Sequence, residues 1–272
     1  MLFILPPLAI LASVGIFRLL RSGVNKPVKF SIPLFFFLLM LLPLKHQAKT
    51  FPVDYVYFNV LSGGNESAWS NYEYDYYFHA LKKPAEYLIN SVGNEEQLTV
   101  AVNANLSNYF EDSPHLNYQY TRYLERSSGD WDYGLFGMNY IHPYLLKNDK
   151  WQSAETVNTF YHKGNPVAVL LRRNNKNDLA GIKAIEEGNY EKAEHLLKKA
   201  VKTDPNNVWL FLHLAKVSLL QDEEESFGRY IEIGREIYPQ YEPFYLLEAK
   251  KLFDEKKYEE SYKKIQQLLH IN

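Results

Sequence analysis

Pro205 and Pro239 stand 34 positions apart, and Tyr190 and Tyr258 stand 68 apart, twice that spacing. A fixed period of this size in the last third of a chain requires stacked copies of one helical pair, because a single pair cannot bury its apolar face alone. Within the first unit Gly181 and Gly188 fall in a helix and the turn after it, and Tyr190 opens a second helix that carries Ala193, Leu197 and Ala200. Small side chains at Gly181, Ala193 and Ala200 let the paired helices approach, and Leu197 fills the gap between them. A second unit begins near Asn207 and keeps Leu214, Ala215 and Pro239, with Phe227 where a small residue is expected. A third, from Glu242, keeps Ala249 and Tyr258 and ends without a separate polar capping helix.

These positions resemble the tetratricopeptide repeat. The resemblance implies an all-α tail over residues 176–272 and a concave surface that receives a protein or peptide partner. Two to three units meet the minimum for a stacked core when a neighbouring domain covers one end.

The opposite end of the chain is apolar. Leu2 to Leu20 carries a single charge, Arg18, and a second run, Phe30 to Leu44, has none. Arg18, Arg21, Lys26 and Lys29 separate the runs with no acidic residue among them, the bias that marks a cytoplasmic loop between two membrane spans. The expectation is therefore two transmembrane helices over residues 1–45, in the inner (cytoplasmic) membrane and in contact with its lipid, with residues 46–272 extracytoplasmic. A cleaved signal peptide competes for the first run, but no basic residue precedes it. A buried helical hairpin competes for the pair, but leucine and phenylalanine surround both helices instead of marking one face. The abrupt start also suggests the tail of a longer polytopic protein.

Between these ends, alternation and turn residues predict a small α/β domain over residues 46–175. A helix is expected from His79 to Val92, with Leu81, Ala85, Leu88 and Ile89 on one face. Strands are expected at Gln97–Val102, Asn117–Tyr123, Tyr133–Phe136, Thr156–Tyr161 and Pro166–Arg172, the last two joined as a hairpin. A short helix is expected near Leu106–Phe110. The terminal hairpin favours a mixed sheet. The fold class expected for the whole is thus mixed: two transmembrane helices, an extracytoplasmic α/β domain and an all-α repeat tail.

Charge is nearly balanced, with 30 Lys+Arg against 32 Asp+Glu, which argues against a nucleic-acid partner. Cysteine is absent, excluding disulfides and thiolate chemistry. The eight histidines are scattered without ligand spacing, so no metal is expected. No phosphate-binding or dinucleotide-binding motif occurs, so no cofactor is expected. Aromatic residues make up 15% of the chain, and the candidate substrate-binding residues lie among them. Glu73 and Asp75 sit in a tyrosine-rich strip, where they serve as a general acid and base at a substrate, as an anionic cap for the helix beginning at His79 or as partners of surface lysines, the capping role being the one that the helix dipole favours. Trp131, between Asp130 and Asp132, is either an indole face for a sugar ring or part of a turn before a strand. No catalytic residue is assigned.

The segments LFILPPLAILASVGI, YVYFNVLSGG, YEYDYYFHALKKPAEYL and DWDYGLFGMNYIHPYLLKN resemble the C-terminal part of bacterial polytopic glycosyltransferases of the GT-C, protein-mannosyltransferase-like class. This resemblance implies a polyprenyl-phosphate sugar as donor and a catalytic acidic loop that the present chain lacks. Two functions follow as expectations: the C-terminal portion of a membrane glycosyltransferase, inactive alone, or a membrane-anchored repeat adaptor for a protein or peptide.

Overall fold

The computed structural model describes residues 5–21, 25–50, 63–72, 75, 79–93 and 97–270. The chain divides into two compact units, Met1–Asp54 and Tyr55–Asn272.

The first unit holds α1 (Leu5–Arg21) and α2 (Lys26–Thr50). Among the described residues, no helix is long and apolar enough to cross a membrane, which overturns the expected two-helix transmembrane segment. The physical reason is length. The 17 residues of α1 rise only ~26 Å, against the ~30 Å of a bilayer core. Helix α2 has 25 residues, but Lys26 and Lys29 before its apolar centre and Lys45 and Lys49 after it leave a run of about 15, or ~22 Å. The membrane lipid partner rested on those spans and has no other support among the described residues.

The second unit is built on a five-stranded mixed sheet of order β2-β1-β3-β5-β4. Its strands are β1 (Leu98–Val102), β2 (Leu116–Tyr120), β3 (Tyr133–Gly137), β4 (Thr156–His162) and β5 (Asn165–Arg172). Strand β1 pairs in parallel with β2 and β3, while β5 pairs antiparallel with β3 and β4. The turn at Lys163-Gly164 takes positive φ at both residues, which closes the β4–β5 hairpin.

Both faces of the sheet are covered, and the alternation of side chains decides which residue meets which layer. Val100, Val102, Leu135, Ala168 and Leu170 point to one face, where Leu81 and the buried Ala85 and Leu88 of α4 (Lys82–Ser91) meet them. Ala101, Phe136, Val169 and Leu171 point to the other and join a core that runs on into the C-terminal helices. Sheets buried on both sides need uninterrupted apolar strands, and VAVLL in β5 is such a run. The short helices between the sheet's edges are α3 (Gly64–Ala68), α5 (Ser107–Phe110) and α6 (Pro143–Lys147).

The tail forms three antiparallel helical pairs: α7 (Asn177–Glu186) with α8 (Tyr190–Thr203), α9 (Val208–Leu220) with α10 (Glu224–Ile237), and α11 (Glu242–Asp254) with α12 (Tyr258–Leu269). Gly181 earns its place by contact: a Cβ there would lie 2.9 Å from Cγ of Leu197. Asn189 and Asn207 cap α8 and α9 with their side-chain oxygens. Helix α9 is apolar nearly all round because α8 and α10 flank it and the 3₁₀ segment Tyr123–Ser128 covers a further side that a free-standing pair would leave to water.

Candidate functional site

The three parallel strands bring their carboxyl ends to one edge of the sheet. From β1 the chain crosses one face through α5 to β2, then returns over the opposite face, past β1, through a 3₁₀ segment at Tyr123–Ser128 to β3. Successive crossovers that run in opposite directions, β1 to β2 and then β2 past β1 to β3, open a crevice outside the strand ends between β1 and β3, the usual place for a ligand in such sheets. Here the crevice is a cleft of about 650 Å³ between that edge and the α10–α11 connection.

Asn103, the residue after β1, forms its floor. Its amide nitrogen donates to the Gly137 carbonyl at 2.9 Å and its oxygen accepts from Gly137 N at 2.8 Å, tying the ends of β1 and β3 together. Tyr123 lies beside it, its hydroxyl donating to the Trp151 carbonyl, and burial pushes its pKa up to about 12. Arg126 stacks 4.3 Å over the Tyr123 ring and pairs with Asp204 at 2.7 Å. Ser127 accepts from Asn207 at 2.8 Å, a second bond between this segment and the start of α9. The floor of the cleft is thereby fixed to the helical pairs.

The far wall comes from the helices. Tyr238 and Tyr241 flank the turn into α11, with ring centroids 6.2 Å apart, and His142 lies 5.0 Å from Tyr238. Burial lowers the His142 pKa, and its Nδ1 accepts from Tyr144 N at 3.2 Å as it caps α6, so the ring is neutral near pH 7. Burial raises the Tyr241 hydroxyl, with Glu125 adding to the shift. Tyr120 and Tyr140 are the exposed rings of the cleft, 68% and 51% accessible. Arg122 and Glu125 pair at 3.7 Å on its rim, where Glu242 also lies.

The residues singled out in the sequence lie elsewhere. Asp75 is buried and accepts from His79 N at 3.2 Å and Ala80 N at 2.9 Å, the cap of the helical segment that follows. Burial raises its pKa, and the two backbone donors oppose that rise. It borders a separate pocket of about 320 Å³ with Trp69, Asn139 and Leu146. Glu73 lies outside the described residues. Trp131 lies in the core at 1% exposure, its Nε1 donating to the Arg126 carbonyl at 2.5 Å and Arg173 stacked 4.7 Å over its ring, so it turns no face to a ligand. Its flanking Asp130 and Asp132 pair with Lys176, just before α7. Sequence reasoning missed the cleft tyrosines, although Tyr238 and Tyr241 bracket the proline that marks the 34-residue period.

Among the described residues, no group of histidine and acidic side chains is placed to hold a metal ion. No curated protein matches the chain. Residues 184–251 match the family model of the tetratricopeptide repeat, and the helical tail that walls the cleft is a tetratricopeptide-repeat region.

Proposed function

We propose that the protein is a binding module whose repeats hold a protein or peptide segment. The match of residues 184–251 to the tetratricopeptide repeat carries this reading, because stacked helical pairs generally serve as extended surfaces for protein partners. The glycosyltransferase reading rests on resemblance alone, and neither the fold nor the family match adds support to it.

The face made by α9 and α11, the first helices of the second and third pairs, suits such a segment. Leu246, Lys250 and Phe253 follow one another on one side of α11, and Leu246 and Phe253 are exposed. Lys216 of α9 is half-buried, and its pKa is lowered first by burial and then by nearby Lys250. Among the described residues neither lysine has an acidic partner. Two cations held together without an anion favour a segment that brings carboxylates beside apolar side chains.

A displayed peptide library selected against the full chain tests this. Enriched segments should be acidic and apolar, and their affinity should fall at least about tenfold on Lys250→Glu or Leu246→Arg. A selection that returns no segment, or segments that bind both variants as tightly as the parent, refutes it.

A further inference from the structure

We infer that the outward side of α12 is a self-association surface, and that it receives a second copy of this chain running antiparallel to the first. Tyr258, Tyr262 and Leu269 recur along one side of α12, and each is more than half exposed. Half-buried Ile265 lies between them. A repeat that turns its outer side to water carries polar residues there, whereas this one carries two aromatic rings and a leucine.

The 34-residue period shows what that side does in the preceding units. Glu224, 34 residues before Tyr258, pairs with Lys251 at 2.5 Å, and Arg235, 34 before Leu269, pairs with Glu248. Both partners belong to α11, in the pair that follows. Glu194, 68 residues before Tyr262, accepts from the Tyr230 hydroxyl of the following pair at 3.3 Å. Each of these positions therefore meets the next pair in an earlier unit, and all three are exposed in α12. A further pair of the same build does not fit there. Gly234 makes room for Phe244 of α11, and its equivalent in α12 is Leu268.

Symmetry and charge select a second copy. The Arg173–Asp178 and Arg126–Asp204 ion pairs tie the first helical pair to the sheet, so the array offers no free opposite end for head-to-tail joining, and the contact closes about a two-fold axis. Charge sets the direction. Glu259 and Lys263 stand one turn apart beside the apolar stripe, and among the described residues neither is paired within the chain. Parallel helices would oppose like charges. Antiparallel helices crossing near Tyr262 bring each Glu259 towards the other copy's Lys263, each Tyr258 towards the other's Ile265, and the two Tyr262 rings together. The 12 residues of α12 rise only ~18 Å. One such helix face buries less than the ~800 Å² per partner of a standard interface, so the dimer is reversible, with a Kd on the order of 10–100 μM.

The test uses the full chain, which has no cysteine of its own. Sedimentation velocity should show a monomer–dimer equilibrium between about 1 and 300 μM. Tyr262→Arg and Leu269→Arg, both at exposed side chains, should each weaken it at least about tenfold. Glu259→Lys and Lys263→Glu should each weaken it too. An equimolar mixture of these two variants should associate at least about fivefold more tightly than either alone, because only the mixed dimer sets opposite charges together at both contacts. On oxidation Tyr262→Cys should give a covalent dimer, and Gly228→Cys, at the equivalent exposed position of α10, should not. A monomer at about 300 μM overturns the inference. So does association that ignores both arginine variants, a mixture no tighter than its components, or equal crosslinking from the two cysteines. The surface is separate from the repeat face: Lys250→Glu should leave the dimer intact and Tyr262→Arg should leave peptide capture intact, so failure at one is distinguishable from failure at the other.

Discussion

Helix α10 contains two glycines that face opposite environments. Gly228 is exposed, and a Cβ placed on it meets nothing within 4 Å. A Cβ on Gly234 would fall 2.0 Å from Cζ of Phe244, a ring with 0% exposure. In a helix interior, glycine to alanine gains about 0.5–1 kcal/mol by reducing the freedom of the unfolded chain. Gly228→Ala should therefore stabilise the protein by that amount. At Gly234 the same gain meets a clash. Carbon atoms rest about 3.5–4.0 Å apart, so the Phe244 ring would have to retreat by ~1.5 Å within a packed core. Overpacking of that kind costs about 1–3 kcal/mol, and a full ring displacement lies at the upper end. The net expectation for Gly234→Ala is a loss of about 2 kcal/mol, leaving the two variants about 3 kcal/mol apart. Urea denaturation followed by far-UV circular dichroism measures both, with an unchanged slope showing that the unfolded state is the same. Phe244→Leu added to Gly234→Ala should recover part of the loss, giving a coupling energy of opposite sign to the clash. Equal stabilisation by the two alanines would refute the close approach of α10 to α11.

Three further outcomes are expected. Asp204→Ala leaves the buried Arg126 guanidinium without a charge partner and should cost about 3–5 kcal/mol in the same denaturation assay, much of it recovered when Arg126→Met is added. Burial raises the Glu155 carboxyl to about 7. Its folded value lies above the unfolded 4.5, so its stabilising contribution is complete below pH 4.5 and is lost as pH rises towards 7. Glu155→Gln should flatten that slope and be more stable by about 1–2 kcal/mol at pH 8, after allowance for solvent reaching the half-buried group. His213 shows the opposite sign. Burial beside Trp209 lowers it to about 4, so its contribution is complete above the unfolded value of 6.5 and is lost as pH falls through 4. Proton NMR should find this imidazole neutral at pH 5, and a midpoint near 6.5 would contradict its burial.

The helical repeat was legible because its cause is local and periodic: Gly181, Ala193, Leu197 and Ala200 encode one helix contact, and Pro205 and Pro239 mark where it recurs. The strands were legible for a similar reason, since short β-branched and apolar runs such as VAVLL are bounded by turn residues, here His162 to Asn165, that mark a hairpin. Asp75 also declared its capping position, four and five residues before the amides it binds. The apolar start forms no spanning helix because α1 has only 17 residues and lysines at both ends of α2 cut its uninterrupted apolar run short.

What the chain's order of residues determined alone was the kind of element each stretch forms. Tertiary structure decided what those elements enclose. Asp130-Trp131-Asp132 looks like an exposed turn in sequence, yet Arg173 covers the indole and Lys176 takes both acids, because β5 and the start of α7 converge there. The cleft is likewise assembled from Asn103, Tyr120, Tyr140 and Tyr238, which lie in four separated segments. Periodicity reports only contacts between near neighbours in the chain. A site made by parallel strand ends meeting a helical turn depends on topology, which is settled when the sheet's second face is buried against the repeats.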